Sequence, residues 1–303
     1  MSRLFDALQR SGAEQSGVEY PDLMSVVTKV FEPQGEKESS EPPAADQPPV
    51  LATEPLAQLP EAASGELANT GFPQFPSMSV SVVPTSRLVF FAEPDSLAAE
   101  KFRFLGVRLR QLQQNRPLKR VLVTSTIPEE GKSLVSANLA GVLARRKQRV
   151  LLIEGDLRRP VLAQQFGLGR LAGLGEWLKS DSQTISNIYH LTDLNFWMMP
   201  AGDPPENPLE LMQSGKLARL MGQLSEMFDW IVVDSPPLLP LADTTVWGRV
   251  TDGTLLVARV GKTDKAQLQR GLEVLKKSEL LGVVLNGCEH PEHDNYYQRY
   301  VPK

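Results

Sequence analysis

Five short apolar runs constrain this chain more than any other feature: RVLVTS (120–125), RVLLIE (149–154), DWIVV (229–233), GTLLVARV (253–260) and LGVVLN (281–286). Each is continuous rather than alternating, so each needs cover on both faces, as the strands of a parallel sheet do. A sixth run at 194–199 joins the series, and segments of helical period lie between the runs, 131–146 foremost. Strands that alternate with helices predict an α/β fold, a parallel sheet with helices on both faces. Upstream, RLVFF (87–91) reads as one more short strand. Asp95 or Ser96 can then cap a helix that ends near Gln114.

The remainder of the chain has a different character. From Phe31 to Pro94 it carries eleven of its 24 prolines, among Ala, Ser, Glu and Gln. Such a segment cannot bury enough apolar surface to offset the entropy of ordering it. The expected organisation is a short helical segment at 1–31, a disordered linker rich in Pro, Ala and Glu at 32–84, a globular domain at 85–287, and a tail at 288–303. Leu4, Phe5 and Leu8, with Ser2 as N-cap, suit a short amphipathic helix that docks on its own protein, a partner or a membrane surface. A net charge of −4 and a pI near 5.6 argue against nucleic acid as a partner. The single cysteine, Cys288, excludes an internal disulfide and suits a reducing compartment. No run approaches the roughly 18 apolar residues of a membrane span, and MSRLFDALQR lacks the apolar core of a signal peptide. The expected location is the cytoplasm.

The chemistry gathers where the first core strand opens into a helix. TSTIPEEGKSL (124–134) occupies the carboxyl end of that strand, where such sheets bind ligands. Gly131-Lys132-Ser133 matches the end of the phosphate-loop pattern, although Thr126 stands in place of its first glycine. Gly131 lets backbone N–H groups approach a phosphate, Lys132 neutralises its charge, and the Ser133 hydroxyl is placed to ligate Mg²⁺. Two other strand ends carry carboxylates. RVLLIEGDLRRP sets Glu154, Asp156 and Arg158 beyond one strand, and WIVVDSPP sets Asp234 at another. In a parallel sheet these ends share an edge, so the carboxylates converge on Lys132. Asp156 and Asp234 are also candidate helix caps, but Pro236 and Pro237 give Asp234 no immediate helix to cap.

Other groupings say less. Cys288, His290 and His293 lie close in sequence but lack a fourth ligand at a spacing that suits zinc. Asn286 reads as a turn residue before Gly287 or as a contact to a base. Trp177, Trp197, Trp230 and Trp247 read as core or core-edge residues. Pro200 to Pro208 reads as a shaped surface loop.

Taken in order, TSTIPEEGKS, LLIEGDLRRP, MPAGDPPENPLELM, WIVVDSPPLLPLAD, GVVLN and a tyrosine tail resemble the bacterial tyrosine autokinases of capsule and exopolysaccharide loci. The resemblance covers roughly residues 86–303. It implies a P-loop NTPase-like kinase domain at 85–287, with ATP and Mg²⁺ as cofactors. The ATP site it implies comprises Thr126, Pro128, Glu130, Gly131, Lys132, Ser133 and Leu134. The implied catalytic residues are Lys132, Glu154, Asp156 and Arg158, and the implied Mg²⁺ ligands are Ser133, Asp156 and Asp234. Glu154 stands where the family has Asp, at a position the resemblance implies helps deprotonate or orient the incoming tyrosine. The implied substrate is the chain's own Tyr296, Tyr297 and Tyr300. Glu100 and Arg103 match a subunit-contact motif of a homo-oligomer whose last arginine is Gly106 here. Further implied partners are a membrane activator of the chain-length-determinant type, which would recruit the kinase to the inner face of the membrane, and a cognate tyrosine phosphatase. Two rivals stand beside this reading. One is a switch ATPase like the partition and division-site proteins, whose extra loop lysine has no counterpart in Thr126-Ile127-Pro128. The other is a catalytically weak regulatory homologue, which Glu154 favours.

Overall fold

A computed structural model of the chain describes the backbone of 28–30 and residues 72–80, 82, 87–145, 147–275 and 280–288. In chain order the strands are β1 (Thr28–Val30), β2 (Ser77–Met78), β3 (Arg120–Ser125), β4 (Val150–Glu154), β5 (Tyr189–Leu191), β6 (Phe196–Met199), β7 (Trp230–Asp234), β8 (Gly253–Arg259) and β9 (Leu280–Asn286). They form one nine-stranded sheet in the order β1-β9-β8-β3-β7-β4-β6-β5-β2. Every neighbouring pair is parallel except β5 with β6. The five runs singled out in the sequence are five adjacent strands, β9, β8, β3, β7 and β4, bounded to within a residue or so.

Period-two alternation divides their side chains between two layers. Val121, Val123, Val150, Leu152, Val232, Leu255 and Val257 pack in one apolar cluster. Against it lie α1 (Val89–Ala92), α2 (Leu97–Asn115) and α3 (Lys132–Ala144). Leu256, Ala258 and Val283 point the other way, towards Leu268 of α9 (Lys265–Val274). Each fully buried Val or Leu contributes roughly 1.5–3 kcal/mol of apolar burial, so covering both faces stabilises the sheet strongly. Ser96 caps α2 as expected, accepting the Ala99 N–H at 3.1 Å. After β6 come α6 (Pro208–Gln213) and α7 (Lys216–Met227), the latter burying Leu217, Leu220, Met221 and Leu224 along one side.

Four expectations change. RLVFF is a helical turn, not a strand. Ala92 N and Glu93 N donate to Leu88 O and Val89 O at 2.9 and 3.0 Å, the bonds of a helical turn, with Leu88, Val89 and Phe90 buried and Phe91 (43% exposed) turned outward. Thr28–Val30, inside the segment expected to be helical, forms an edge strand beside β9. The linker expected to be disordered through 84 contains β2, which pairs with β5 and forms the edge of the sheet. Asp193 fixes that segment by accepting from Ser79 Oγ at 2.9 Å and Val80 N at 2.7 Å. The sheet is also not wholly parallel. Asn195 (φ 56°) lies in the tight turn from β5 into β6, which makes that pair antiparallel. The rest of the N-terminal segment and linker lies outside the described residues.

Candidate active site

The loop after β3, Thr126 to Gly131, is built largely by its own side chains. Glu130 is fully buried and accepts from Thr126 Oγ1, from Ile127 N at 2.8 Å and from Thr263 Oγ1. Its carbonyl accepts from Asn286 Nδ2 at 2.9 Å, at the end of β9. Gly131 has φ 95°, and a Cβ there would meet that same Nδ2 at 2.1 Å. Both the backbone conformation and the close approach therefore require glycine. Pro128 and Glu129 are exposed at the lip, and Leu134 is half-buried in the first turn of α3. That helix presents the unpaired N–H groups of its first turn to the loop, which suits an anion. Of the seven residues expected at the nucleotide, Thr126 and Glu130 thus turn their side chains to the scaffold.

Lys132, the first residue of α3, meets both carboxylate strand ends. Its Nζ lies 3.1 Å from Asp156 Oδ2, 4.0 Å from Asp234 Oδ2 and 3.3 Å from Ser133 Oγ. Burial alone would lower the ammonium pKa, but Asp234 and Asp156 outweigh it and hold the pKa above its ordinary value. Burial is also the main influence on Asp234, lifting its carboxyl against the pull of Lys132. Gly155 ties the two acidic strand ends together, donating its N–H to Asp234 O at 2.7 Å. A Cβ at Gly155 would meet Trp247 at 2.8 Å and Asp234 O at 2.9 Å, so Glu-Gly-Asp cannot carry a larger residue in the middle without movement.

The donors fit Mg²⁺. Asp234 is 1% exposed; its Oδ1 lies 3.2 Å from Ser136 Oγ, and its Oδ2 has no hydrogen-bond partner. A buried acceptor left in this way, beside Asp156 and the Ser133 hydroxyl, makes an all-oxygen set for a hard cation. No cluster of three His, Cys, Asp or Glu suited to a metal occurs among the described residues. Two carboxylates and a hydroxyl match an ion that shares its coordination with phosphate oxygens and water.

Glu154 and Arg158 stand further from Lys132 in their contacts. Both Glu154 oxygens accept backbone N–H groups, from Leu162 at 2.5 Å at the start of α4 (Leu162–Gln165) and from Ala201 at 3.0 Å. Burial raises its pKa, against the pull of those N–H groups. The loop beginning at Pro200 is held a second time by Glu176 of α5 (Leu174–Lys179), which accepts from Asp203 N at 2.8 Å. Arg158 forms a two-pronged pair with Asp243 at 2.7 and 3.1 Å, at the start of α8 (Asp243–Gly248). Ser136, Asp243 and the loop clamp of Asn286 were missed in the sequence. Asp243 closes the PLAD of a quoted motif, but nothing in its spacing points to Arg158.

Glu100 and Arg103 pair with each other at 2.5 Å on the exposed side of α2. Gly106 is buried, and a Cβ there would lie 2.9 Å from Val142 of α3, so a larger residue at that position would push the two helices apart. Tyr296, Tyr297, Tyr300, His290 and His293 lie outside the described residues. No helix among those described is long and apolar enough to cross a membrane.

Residues 121–301 match the CobQ/CobB/MinD/ParA nucleotide-binding domain. The chain is 35% identical over 211 residues to the tyrosine-protein kinase YwqD of Bacillus subtilis (strain 168), which covers 69% of this chain and 89% of that protein. It is 30% identical over 207 residues to the tyrosine-protein kinase etk of Escherichia coli (strain K12), 67% of this chain but only 28% of that longer protein. The solved kinase domain of E. coli ETK superposes with a TM-score of 0.64 at 28% identity, over 67% of this chain and 82% of that one. A P-loop nucleotide-binding fold, acidic strand ends around Lys132 and these relatives lead to one conclusion: the chain belongs to the bacterial tyrosine autokinase family and is a protein-tyrosine kinase.

Proposed function

We propose that this kinase uses ATP with Mg²⁺ to phosphorylate its own C-terminal cluster, Tyr296, Tyr297 and Tyr300, and so regulates capsule or exopolysaccharide polymerisation or export. One observation carries the reading. β9 ends at Asn286, whose side chain donates to Glu130 of the phosphate loop, so the last strand before the tail ends beside that loop. The ten residues from Asn286 to Tyr296 span at most about 35 Å, enough for a neighbouring subunit's site or its own.

In this proposal a phenolic oxygen attacks the γ-phosphorus, the bond to the bridging oxygen breaks, and ADP leaves. Lys132 and the first turn of α3 hold the β- and γ-phosphates, and the phenolic proton passes to a nearby carboxylate. Mg²⁺ held by Ser133, Asp156 and Asp234 would offset charge on the transferring group. Asp156 lies against Lys132 and is better placed than Glu154 to meet substrate, because Glu154 is engaged by two backbone N–H groups. Glu154 then fixes the segments on either side, and Arg158, anchored by Asp243, contributes charge at the rim. Glu100 and Arg103 would contact a second copy. Recruitment from the cytoplasm to the inner face of the membrane by a chain-length-determinant-type activator, and reversal by a tyrosine phosphatase, complete the proposal. A partition-type switch ATPase leaves the tyrosine cluster without a role.

The test mixes a Lys132→Met chain with a chain carrying Phe at 296, 297 and 300, distinguishable by mass, under Mg-ATP. Transfer between chains places phosphate on the first and not on the second. Phosphate on neither, with wild type labelled, means transfer within one chain. A wild-type chain that releases free phosphate but carries none on these tyrosines would sink the proposal.

A further inference from the structure

The turn between β8 and α9 brings a second lysine to the phosphate loop. Lys262 Nζ lies 2.6 Å from Glu129 Oε2, on a residue three positions ahead of Lys132. The backbone carrying Lys262 is fixed to that loop. Thr263 Oγ1 donates to buried Glu130 and accepts from Arg259 N at 2.8 Å. Thr263 N and Lys262 N both donate to Arg259 O, at 2.9 and 3.2 Å. Asp264 then caps α9, accepting from Gln267 N at 2.7 Å.

Stability does not account for the ion pair. The Glu129 side chain is 82% exposed and that of Lys262 34%, and water screens such pairs to little net value. Glu129 also has φ 64°, a left-handed conformation that is costly for a residue with a side chain. Its surroundings are cationic. Lys262 foremost, then Arg159 and Arg259, hold its carboxyl below the usual range. The lip of the loop therefore sets one strained carboxylate among three cations.

We propose that Lys262 is a second polyphosphate-binding cation of this site, restrained by Glu129 until a nucleoside triphosphate displaces that carboxylate. The proposal rests on the reading of the Lys132 loop as the ATP site. A triphosphate carries more charge than one carboxylate, so the ammonium exchanges partners and Glu129 turns to water. The β8–α9 turn thereby supplies a charge that Thr126-Ile127-Pro128 lacks. No covalent step is involved.

Calorimetric titration of the full chain with Mg-ATP tests this with Lys262→Met, Glu129→Gln and the double variant. Losing a charge-assisted contact in Lys262→Met should weaken binding about tenfold. Glu129→Gln releases the lysine and should tighten binding about threefold, since the competent population rises. In the double variant the gain should vanish and the weakening remain. A strut that merely holds the loop would make both single variants bind more weakly, and that result overturns the proposal, as does unchanged binding in Lys262→Met. Melting midpoints without nucleotide should stay at the parent's value, which separates binding from folding. A parent chain that binds no nucleotide overturns the ATP-site reading itself, and this proposal with it.

Discussion

At the scale of single residues, Gly131 is the most constrained position in the loop. Its φ of 95° costs an alanine roughly 1–3 kcal/mol, and the new Cβ would also strike Asn286 Nδ2 at 2.1 Å. Asn286 cannot retreat without releasing the Glu130 carbonyl, which then loses a buried donor. Gly131→Ala should therefore weaken Mg-ATP binding more than about tenfold, because backbone N–H groups must converge on a phosphate that the shifted loop no longer fits. Adding Asn286→Ala removes the clash but not the strain, so affinity should recover only in part. Parent-like affinity in Gly131→Ala, measured by calorimetry, would show that the loop does not depend on this conformation. Glu154 illustrates a different constraint. Its two oxygens bridge separate segments, accepting from Leu162 N and Ala201 N.

At the scale of elements, the helical turn α1 is fastened to the nucleotide-binding helix α3 by one buried side chain. Asn138 accepts from Phe90 N at 3.3 Å and donates to Arg87 O at 3.0 Å and Leu134 O at 2.9 Å. Phe90 lies over Gly141, where a Cβ would meet its ring at 2.1 Å, and Arg145 Nη2 donates to Phe90 O at 2.7 Å. Asn138→Leu keeps the branched shape but leaves Phe90 N and Arg87 O without that partner. At about 1–3 kcal/mol per unsatisfied group, stability should fall by roughly 2–6 kcal/mol, with faster limited proteolysis near residues 87–92. An unchanged denaturation midpoint and cleavage pattern would mean that apolar packing alone seats α1. The same element shows what was legible in the sequence. The central strands, α2 with its Ser96 cap, and the convergence of Lys132, Asp156 and Asp234 follow from local periodicity and from the rule that parallel strand ends share an edge. α1 was misread because four apolar residues in a row suit a strand or a helical turn equally, and only the notch at Gly141 decides. The clamps on the loop were hidden for another reason. Glu130 meets Thr263 across 133 residues and Asn286 across 156, and no spacing rule announces a hydrogen bond at that separation.

At the scale of the whole molecule, the sheet separates function from stability between its two edges. The carboxyl ends of β3, β4 and β7 carry the reactive groups, while Asp252 ties the opposite ends of β3 and β8. It accepts from Lys119 N at 2.9 Å, Arg120 N at 2.8 Å, and Arg120 Nε and Nη2 at 2.9 and 2.5 Å. Burial pushes its carboxyl up, but Arg120 and the two backbone donors outweigh it and hold the pKa below its ordinary 3.8. A carboxyl whose folded pKa is depressed contributes stability that is present above the unfolded value and lost as pH falls through the folded one. Asp252→Asn keeps the size but replaces one acceptor oxygen with a donor, so at pH 7 it should cost about 1–3 kcal/mol in denaturant unfolding. As pH drops below 3.8, the parent protonates Asp252 and loses the same advantage, so the gap between the two proteins should close. Mg-ATP affinity at pH 7 should stay within about twofold of the parent, because independent sites on opposite edges of a rigid sheet couple weakly. A gap that persists undiminished in acid would show that Asp252 acts through packing rather than charge. A large loss of affinity would show that the two edges are coupled after all.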